Sequence, residues 1–193
     1  KNPLFVGESS FEVGSIEFFD EHTSTYIKDC FAGKLDTRIF PESIKNNKVL
    51  DLGCGPGFWV EQISNYFPKQ IIASDLTKNA LELTNSRCIA RNIKNVDFVQ
   101  ANAEDLPFDS GSFSHVNCQG VIHHTPNTEK AIKEIERVLK KGGTFSISVY
   151  YKNFLVRNWN ILKYSGNILT LLGGGMKGRG REAIFSIKEI DDL

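Results

Sequence analysis

An apolar run that ends in an acid and runs into alternating glycines constrains this fold more than any other feature. Residues 49–63 read VLDLGCGPGFWVEQI, in which Asp51 is followed by Gly53, Gly55 and Gly57 and then by a helical pattern. Glycines between a strand and a helix let the backbone approach a ligand, and the helix aims free N–H groups at it. The stretch therefore predicts a ligand-binding turn at the end of a buried strand.

Strand-like and helix-like patterns alternate from about residue 48 to residue 150. Five apolar runs have the length and composition of strands: 48–53, 70–75, 96–101, 113–119 and 143–150. Helical patterns lie between them over 58–67, over 78–91 with Thr77 as N-cap, and over 128–140 before two glycines. This order predicts an α/β fold, a Rossmann-like doubly wound and mostly parallel sheet with helices on both faces.

The segments on either side of this alternating region have other patterns. Residues 1–45 carry a loosely helical apolar pattern, which predicts an N-terminal cap of one or two helices on the sheet edge. Residues 151–193 predict a helical lid or insert. We therefore expect a single domain over 1–193, with the cofactor-binding core at 46–150.

Charge and cysteine content narrow the classes of partner. The chain has 23 Lys and Arg against 23 Asp and Glu, a zero net charge that argues against a general nucleic-acid-binding protein. No apolar run approaches the roughly 20 residues that span a bilayer, so no membrane partner is expected. The four cysteines have neither CxxC spacing nor a nearby histidine, which predicts free thiols, no metal site and a cytoplasmic location.

The residues of the glycine turn indicate what kind of ligand it holds. The dinucleotide fingerprint G-x-G-x-x-G fails because Phe58 stands where the third glycine is needed. Asp51 would repel a pyrophosphate but would suit an amino group. No Gly-Lys-Ser/Thr follows, which excludes a Walker P-loop. An amine-bearing ligand is favoured, with an NAD-type oxidoreductase as a less favoured alternative.

Five motifs, in order and spacing, resemble the class I S-adenosylmethionine-dependent methyltransferases, and most closely the type 11 small-molecule group. They are Asp51-Leu-Gly-Cys-Gly-Pro-Gly57, Asp75 at the end of the second strand, Asn102-Ala-Glu-Asp-Leu-Pro-Phe108, Gly120-Val-Ile-His-His-Thr-Pro126 and Arg137-Val-Leu-Lys-Lys-Gly-Gly143. The resemblance covers about residues 46–150. It implies methyl transfer from S-adenosyl-L-methionine to a small-molecule acceptor, with S-adenosyl-L-homocysteine as the other product.

The resemblance also implies which residues hold the cofactor. Those at the methionine end are Asp51, Gly53, Gly55 and Gln119. Those at the ribose and the adenine are Asp75, Leu76, Asn102, Ala103 and Glu104. Structural alternatives remain: Asp51 as a turn or capping residue, Asp75 as an N-cap, and Asn102 with Ala103 as ordinary turn residues.

No catalytic residue follows from the sequence, because an activated methyl donor needs alignment more than it needs a base. The candidates are His123, His124 and Tyr26, and each has a packing alternative. His22 and Tyr26 lie on the predicted N-terminal helix, which covers the site in many members of this family. A non-catalytic scaffold that keeps the cofactor fold is the alternative function. The Asn/Asp-Pro-Pro-aromatic tetrad of amino-methylating nucleic-acid enzymes is absent after the fourth strand, where Gln119 begins Gln-Gly-Val-Ile.

Two features depart from the family pattern. Asn102 stands where Asp is more frequent, although an amide oxygen can still accept a hydrogen bond from the adenine amino group. The last two strands of the family's seven-stranded sheet are not visible, so we expect this chain to be part of a longer protein. The sequence leaves the oligomeric state open, with a homodimer among the possibilities.

Overall fold

A single parallel sheet organises the computed structural model, which describes residues 9–149. The strands are β1 (Lys48–Leu52), β2 (Gln70–Asp75), β3 (Val96–Gln100), β4 (Phe113–Gln119) and β5 (Leu139–Ser148). Their order in the sheet is β3-β2-β1-β4-β5, and every adjacent pair is parallel. The predicted Rossmann-like fold is confirmed. The expectations for residues 151–193 lie outside the described residues.

Strand order places a topological switch point between β1 and β4. The chain proceeds from β1 outward to β2 and β3, and then returns to the other side of β1 to add β4 and β5. Loops that follow β1 and β4 therefore leave in opposite directions, which opens a crevice at the carboxyl ends of these strands. This crevice is where an open α/β sheet binds its ligand.

Helices cover both faces of the sheet, as predicted. They are α2 (Phe58–Ser64), α3 (Lys78–Ala90) and α4 (Thr128–Val138). Val49 of β1 belongs to the core cluster that α2 and α3 help to form, whereas Leu50 and Leu52 belong to the cluster of α4. Alternate residues of a strand point to opposite faces, so β1 is apolar on both of them.

The N-terminal helix α1 (Ile16–Cys30) begins after an N-cap at Ser15, whose side chain accepts a hydrogen bond from the Phe18 amide. Its Phe19 packs with Leu83 of α3, and the Tyr26 ring centroid lies 4.6 Å from that of Phe58 in α2. The helix therefore packs against α3 and α2, which corrects the expectation that it lies on the sheet edge. Its role as a lid stays a prediction.

A buried arginine joins α1 to the helices behind the glycine turn. Arg87 of α3 is fully buried and donates to Glu61 of α2 at 2.8 Å and to Thr23 of α1 at 3.1 Å. Its other terminal nitrogen lies 2.9 Å from Nδ1 of His22. Burial, and then the charge of Arg87, lowers the pKa of His22 to about 4. His22 is thus buried and lies within hydrogen-bond distance of Arg87.

The boundary between α4 and β5 differs from the prediction. The helix ends at Val138, and Lys140 and Lys141 lie in β5 where the sequence predicts the last turn of the helix. The cause is Leu139, which pairs with Phe113 of β4 ahead of the main ladder. The two glycines therefore lie inside an irregular stretch of the strand, and the strand begins four residues earlier than 143. Helix α2 likewise ends at Ser64 instead of residue 67.

Candidate functional site

The glycine turn after β1 is held against the end of β2. The amides of Gly53 and Cys54 both donate to the Ser74 carbonyl, at 2.7 and 2.9 Å. Gly53 has φ +74°, and a Cβ at this position would lie 2.2 Å from a methyl group of Val121. Both the backbone conformation and the lack of space require glycine here.

Gly55 differs from Gly53 in having open space around it. Its φ is +50°, yet a Cβ built there would meet no atom within 4 Å among the described residues. Its amide donates to Asp75 Oδ2 at 3.1 Å, and its carbonyl accepts from the Thr84 hydroxyl at 2.7 Å. The side chains of Asp75 and Thr84 therefore hold the turn in place. The open space at Gly55 leaves room for a ligand to approach the backbone.

Asp51 supplies the one buried carboxylate of this crevice among the described residues. It is 1% exposed, and its Oδ1 accepts from Asn117 Nδ2 at 2.7 Å. Its Oδ2 is buried and has no hydrogen-bond partner in residues 9–149. Burial raises the pKa of Asp51 to about 7, the Asn117 bond opposes this rise, and the charge of Asp75 adds to it. A buried carboxylate oxygen without a partner is costly, and a ligand ammonium group would satisfy it.

Asn117 is the site residue that sequence reasoning missed. It lies on β4 directly beside Asp51 in the sheet register, and its Oδ1 accepts from Gln119 Nε2 at 3.0 Å. The available signal was the alternation of His115, Asn117 and Gln119 along one face of a buried strand. Polar side chains on one face of a buried strand need hydrogen-bond partners. Asp51, on the neighbouring strand, was already predicted as a site residue and could have been that partner.

Asp75 ends β2 and binds the backbone around the site. Its Oδ1 accepts from the amide of Thr77 at 2.9 Å and from its hydroxyl at 3.0 Å, while Oδ2 accepts from Gly55. The N-cap of α3 is Thr77, as predicted, so the N-cap alternative for Asp75 is wrong. Leu76, which follows, is 65% exposed and presents apolar surface at the carboxyl end of β2.

The turn after β3 uses its side chains to stabilise itself. Asn102 Oδ1 accepts from the Glu104 amide at 2.9 Å, and Glu104 Oε1 accepts from the Asn127 amide at 2.8 Å. Ala103 is buried between them. These contacts match the turn alternative for Asn102, and they leave its Nδ2 as the polar atom for which the structure records no partner in the described residues.

Helix α4 clamps the rest of this turn. Arg137 donates to the carbonyls of Leu106 and Phe108, at 2.9 and 2.6 Å, and pairs with Glu134. Glu134 in turn accepts from the Leu106 amide at 2.8 Å. The sequence placed Arg137 in a helix-to-strand motif, but its contacts show that it fixes the position of the turn expected at the adenine.

The candidate catalytic side chains occupy two places. His123 and His124 lie in the short 3₁₀ helix Ile122–His124 after β4, with ring centroids 4.2 Å apart. Burial, and then the neighbouring His124, lowers the pKa of His123. Tyr26 packs its ring on Phe58, which matches its packing alternative. A catalytic role for any of the three stays a prediction.

Residues 9–149 contain neither a membrane-spanning helix nor a cluster of metal-ligating side chains. No described helix is both long enough and apolar enough to cross a membrane. Within the same residues, no three His, Cys, Asp or Glu side chains are grouped in a way that could hold a metal ion.

Comparison with known proteins identifies the family. Residues 50–147 match the family model described as "Methyltransferase domain". The chain is 36% identical over 105 residues to the uncharacterized methyltransferase YcgJ of Bacillus subtilis, covering 54% of this chain and 41% of that protein. It is 32% identical over 130 residues to the demethylmenaquinone methyltransferase of Lactococcus lactis, covering 62% of this chain and 52% of that enzyme. The chain thus spans about half the length of these two relatives.

Solved structures agree with this match. The crystal structure of YcgJ aligns with a TM-score of 0.51 over 53% of this chain and 43% of that chain. An S-adenosylmethionine-dependent methyltransferase from Mesorhizobium loti, 19% identical, shows the same fold with a TM-score of 0.51 over 57% of this chain and 48% of that one. The predicted family resemblance is confirmed, and the chain belongs to the methyltransferase family, in its type 11 group.

Proposed function

We propose that this chain binds S-adenosyl-L-methionine at the carboxyl ends of β1, β2 and β3 and catalyses methyl transfer to a small-molecule acceptor. The observation that carries the proposal is the buried Asp51 carboxylate, whose Oδ2 has no partner within the described residues. The open space at Gly55 supports it, because a ligand can contact the backbone there. When bound, the cofactor supplies a methyl group that is already activated on a sulfonium.

The residues of the crevice divide between the two ends of the cofactor. The methionine end is bound by Asp51, Gly53, Gly55 and Gln119. The ribose and adenine are bound by Asp75, Leu76, Asn102, Ala103 and Glu104. Asp51 accepts from the amino group, and the exposed Leu76 side chain provides apolar contact beside the ribose. Asp75 must loosen one of its present hydrogen bonds before it accepts from two ribose hydroxyls.

The chain contributes position more than proton transfer. A methyl group on sulfur leaves without a general acid, so the protein has to hold donor and acceptor in line and keep water out. A base is needed only for an acceptor that must lose a proton. His123 and His124 are the first titratable side chains that follow β4, and they serve as the base for such an acceptor.

The acceptor is a small molecule. The zero net charge gives no electrostatic support for nucleic acid. The Lactococcus lactis relative is named as a demethylmenaquinone methyltransferase, which favours a small-molecule acceptor over a nucleic acid. Because the chain spans only about half of that enzyme, the identity of the acceptor is left to experiment.

Isothermal titration with S-adenosyl-L-methionine, S-adenosyl-L-homocysteine and NAD tests the proposal. We expect micromolar affinity for both adenosyl ligands and none for NAD. Asp75→Ala should weaken the binding of both adenosyl ligands, whereas Asp97→Ala, at an exposed position on the edge strand β3, should leave it unchanged.

A folded chain that binds neither adenosyl ligand would exclude the proposed function and leave the non-catalytic scaffold. Where binding is present, an acceptor screen that measures production of S-adenosyl-L-homocysteine tests the transfer step. Cofactor binding with no transfer to any small acceptor would support the scaffold function instead.

A further inference from the structure

Asn117 connects the two strands at the switch point through both ends of its side-chain amide. It is 1% exposed and lies beside Asp51 in the register of β1 and β4. Its Nδ2 donates to Asp51 Oδ1 at 2.7 Å, and its Oδ1 accepts from Gln119 Nε2 at 3.0 Å. One amide therefore sets the hydrogen-bonding state of two residues that the proposed function assigns to the methionine end.

We propose that Asn117 is the positioning residue that makes this site selective for a ligand with an ammonium group. It holds Asp51 by Oδ1 and thereby leaves Oδ2 as the acceptor for that group. The inference rests on the proposed cofactor and goes beyond it, because it assigns selectivity to a residue that does not itself touch the ligand.

The direction of these bonds carries the argument. An amide nitrogen only donates, so Asp51 Oδ1 must accept, and a proton on this carboxyl group can reside only on Oδ2. When an ammonium group binds, Oδ2 releases this proton to solvent and accepts a hydrogen bond from the ammonium group instead. In this orientation the Asn117 nitrogen faces Asp51 Oδ1 and the Asn117 oxygen faces Gln119 Nε2, so one amide makes both hydrogen bonds.

The charged groups near Asp51 show why this bond matters. Asp75 adds like charge, and the buried thiols of Cys54 and Cys118 carry no positive charge to offset it. Within residues 9–149, the Asn117 bond is the one hydrogen bond recorded for the Asp51 side chain. Because a hydrogen bond to the ionised form stabilises it against burial, Asn117 supports the carboxylate that a ligand cation requires.

The test compares two ligands that differ at the methionine end. S-adenosyl-L-homocysteine carries the amino acid, whereas 5′-methylthioadenosine keeps the adenosine and the sulfur but lacks both the amino group and the carboxylate. Titration of Asn117→Leu near pH 8 should show affinity for the first ligand weakened by about 10-fold or more, because a charge-assisted hydrogen bond is lost. Affinity for the second should change by less than about 2-fold.

A control on the same strand separates positioning from packing. Ser114 is also nearly buried, and its hydroxyl donates to the Lys48 carbonyl instead of to a site residue. Ser114→Ala should leave the ratio of the two affinities unchanged. If Asn117→Leu does not fold, Asn117→Ser keeps a donor and less bulk, and it should shift the ratio in the same direction to a smaller extent.

The outcomes distinguish this inference from the proposed function. If the wild-type protein binds S-adenosyl-L-homocysteine but the Asn117 variants bind both ligands with equally reduced affinity, the role of Asn117 is overturned. The cofactor assignment then stays in place. Wild-type protein that binds neither ligand would overturn both.

Discussion

The two ends of the proposed cofactor site are built in different ways. At the methionine end, Asp51 is 1% exposed and its Oδ2 has no partner in the described residues. At the ribose and adenine end, the carboxylate of Asp75 and the amide oxygen of Asn102 already accept hydrogen bonds from backbone amides around them. Leu76 at this end is 65% exposed. The methionine end therefore has a buried hydrogen-bond acceptor without a partner in the described residues, whereas the ribose and adenine end has acceptors that already have partners and lie close to solvent.

This difference teaches where selectivity comes from. An unpaired buried carboxylate discriminates strongly, because a ligand without a cation leaves it unpaired. Acceptors that exchange one partner for another near solvent gain less. We therefore expect the amino group of the ligand to decide selectivity, and the ribose and adenine to contribute affinity in smaller steps.

Asp51→Asn should give the largest effect and tests the methionine end directly. It removes the negative charge while keeping the size of the side chain, so affinity for S-adenosyl-L-homocysteine should fall by about 100-fold or more. Affinity for 5′-methylthioadenosine should change little. Titration calorimetry gives both values, and an equal loss for the two ligands would contradict the comparison.

Two glycine variants separate an effect on folding from an effect on ligand binding. Gly53→Ala should lower the free energy of unfolding by about 3 kcal/mol, because its Cβ meets Val121 and its φ is positive. Gly55→Ala has only the cost of its φ of +50°, about 1 kcal/mol, yet its methyl group enters the open space that the proposed function assigns to the ligand.

Urea unfolding and ligand titration of the two glycine variants measure these effects separately. Val121→Ala should recover part of the stability lost in Gly53→Ala, because it removes the clashing methyl groups. A Gly55→Ala protein that binds the ligand with unchanged affinity would place the ligand elsewhere.

The contribution of Asp51 to the stability of the ligand-free protein should fall as the pH rises toward neutrality. The pKa of Asp51 is about 7 in the folded state, against an ordinary value of 3.8. Between these values the folded chain keeps a proton that the unfolded chain has lost, so the contribution of Asp51 falls as pH rises, by up to about 1.4 kcal/mol per pH unit. Above about pH 7 both states have lost the proton and this slope ends.

Comparison with Asp51→Asn isolates this carboxyl group from other titrating groups. His22 and His115 have pKa values lowered to about 4 by burial, so their contribution to stability is lost as pH falls below their ordinary range. In urea unfolding from about pH 5 to about pH 8, the histidine contributions are common to both proteins, so the stability of the wild type relative to Asp51→Asn should fall as the pH rises. Parallel curves would contradict the raised pKa.

Asn102→Ala should give the smallest effect and tests the adenine end. The variant loses the bond from the Glu104 amide, which should cost about 0.5–1 kcal/mol of stability. Cofactor affinity should weaken by no more than about 3-fold, because the clamp from Arg137 still holds the turn. A much larger loss of affinity would show that the amide of Asn102 makes a principal contact with the ligand.

Local signals in the sequence predicted most of the fold and part of the site. Thr77 is a cap by residue type and position, and Asp51 before the glycines already indicated a cationic ligand group. The start of β5 was not predictable, because the pairing of Leu139 with Phe113 overrides the helical period of α4. Arg87 was not predictable either, since its partners Glu61 and Thr23 come from two other helices.

The bond between Asp51 and Asn117 has a consequence for the order of events during synthesis. The two residues are 66 positions apart in the chain, and β2 and β3 lie between them. On the ribosome, β1, β2 and β3 emerge before β4, so an early intermediate has the glycine turn but no partner for Asp51. Under the proposed function, the cofactor binds most tightly to chains in which β4 is already inserted, and mass action then favours the complete sheet.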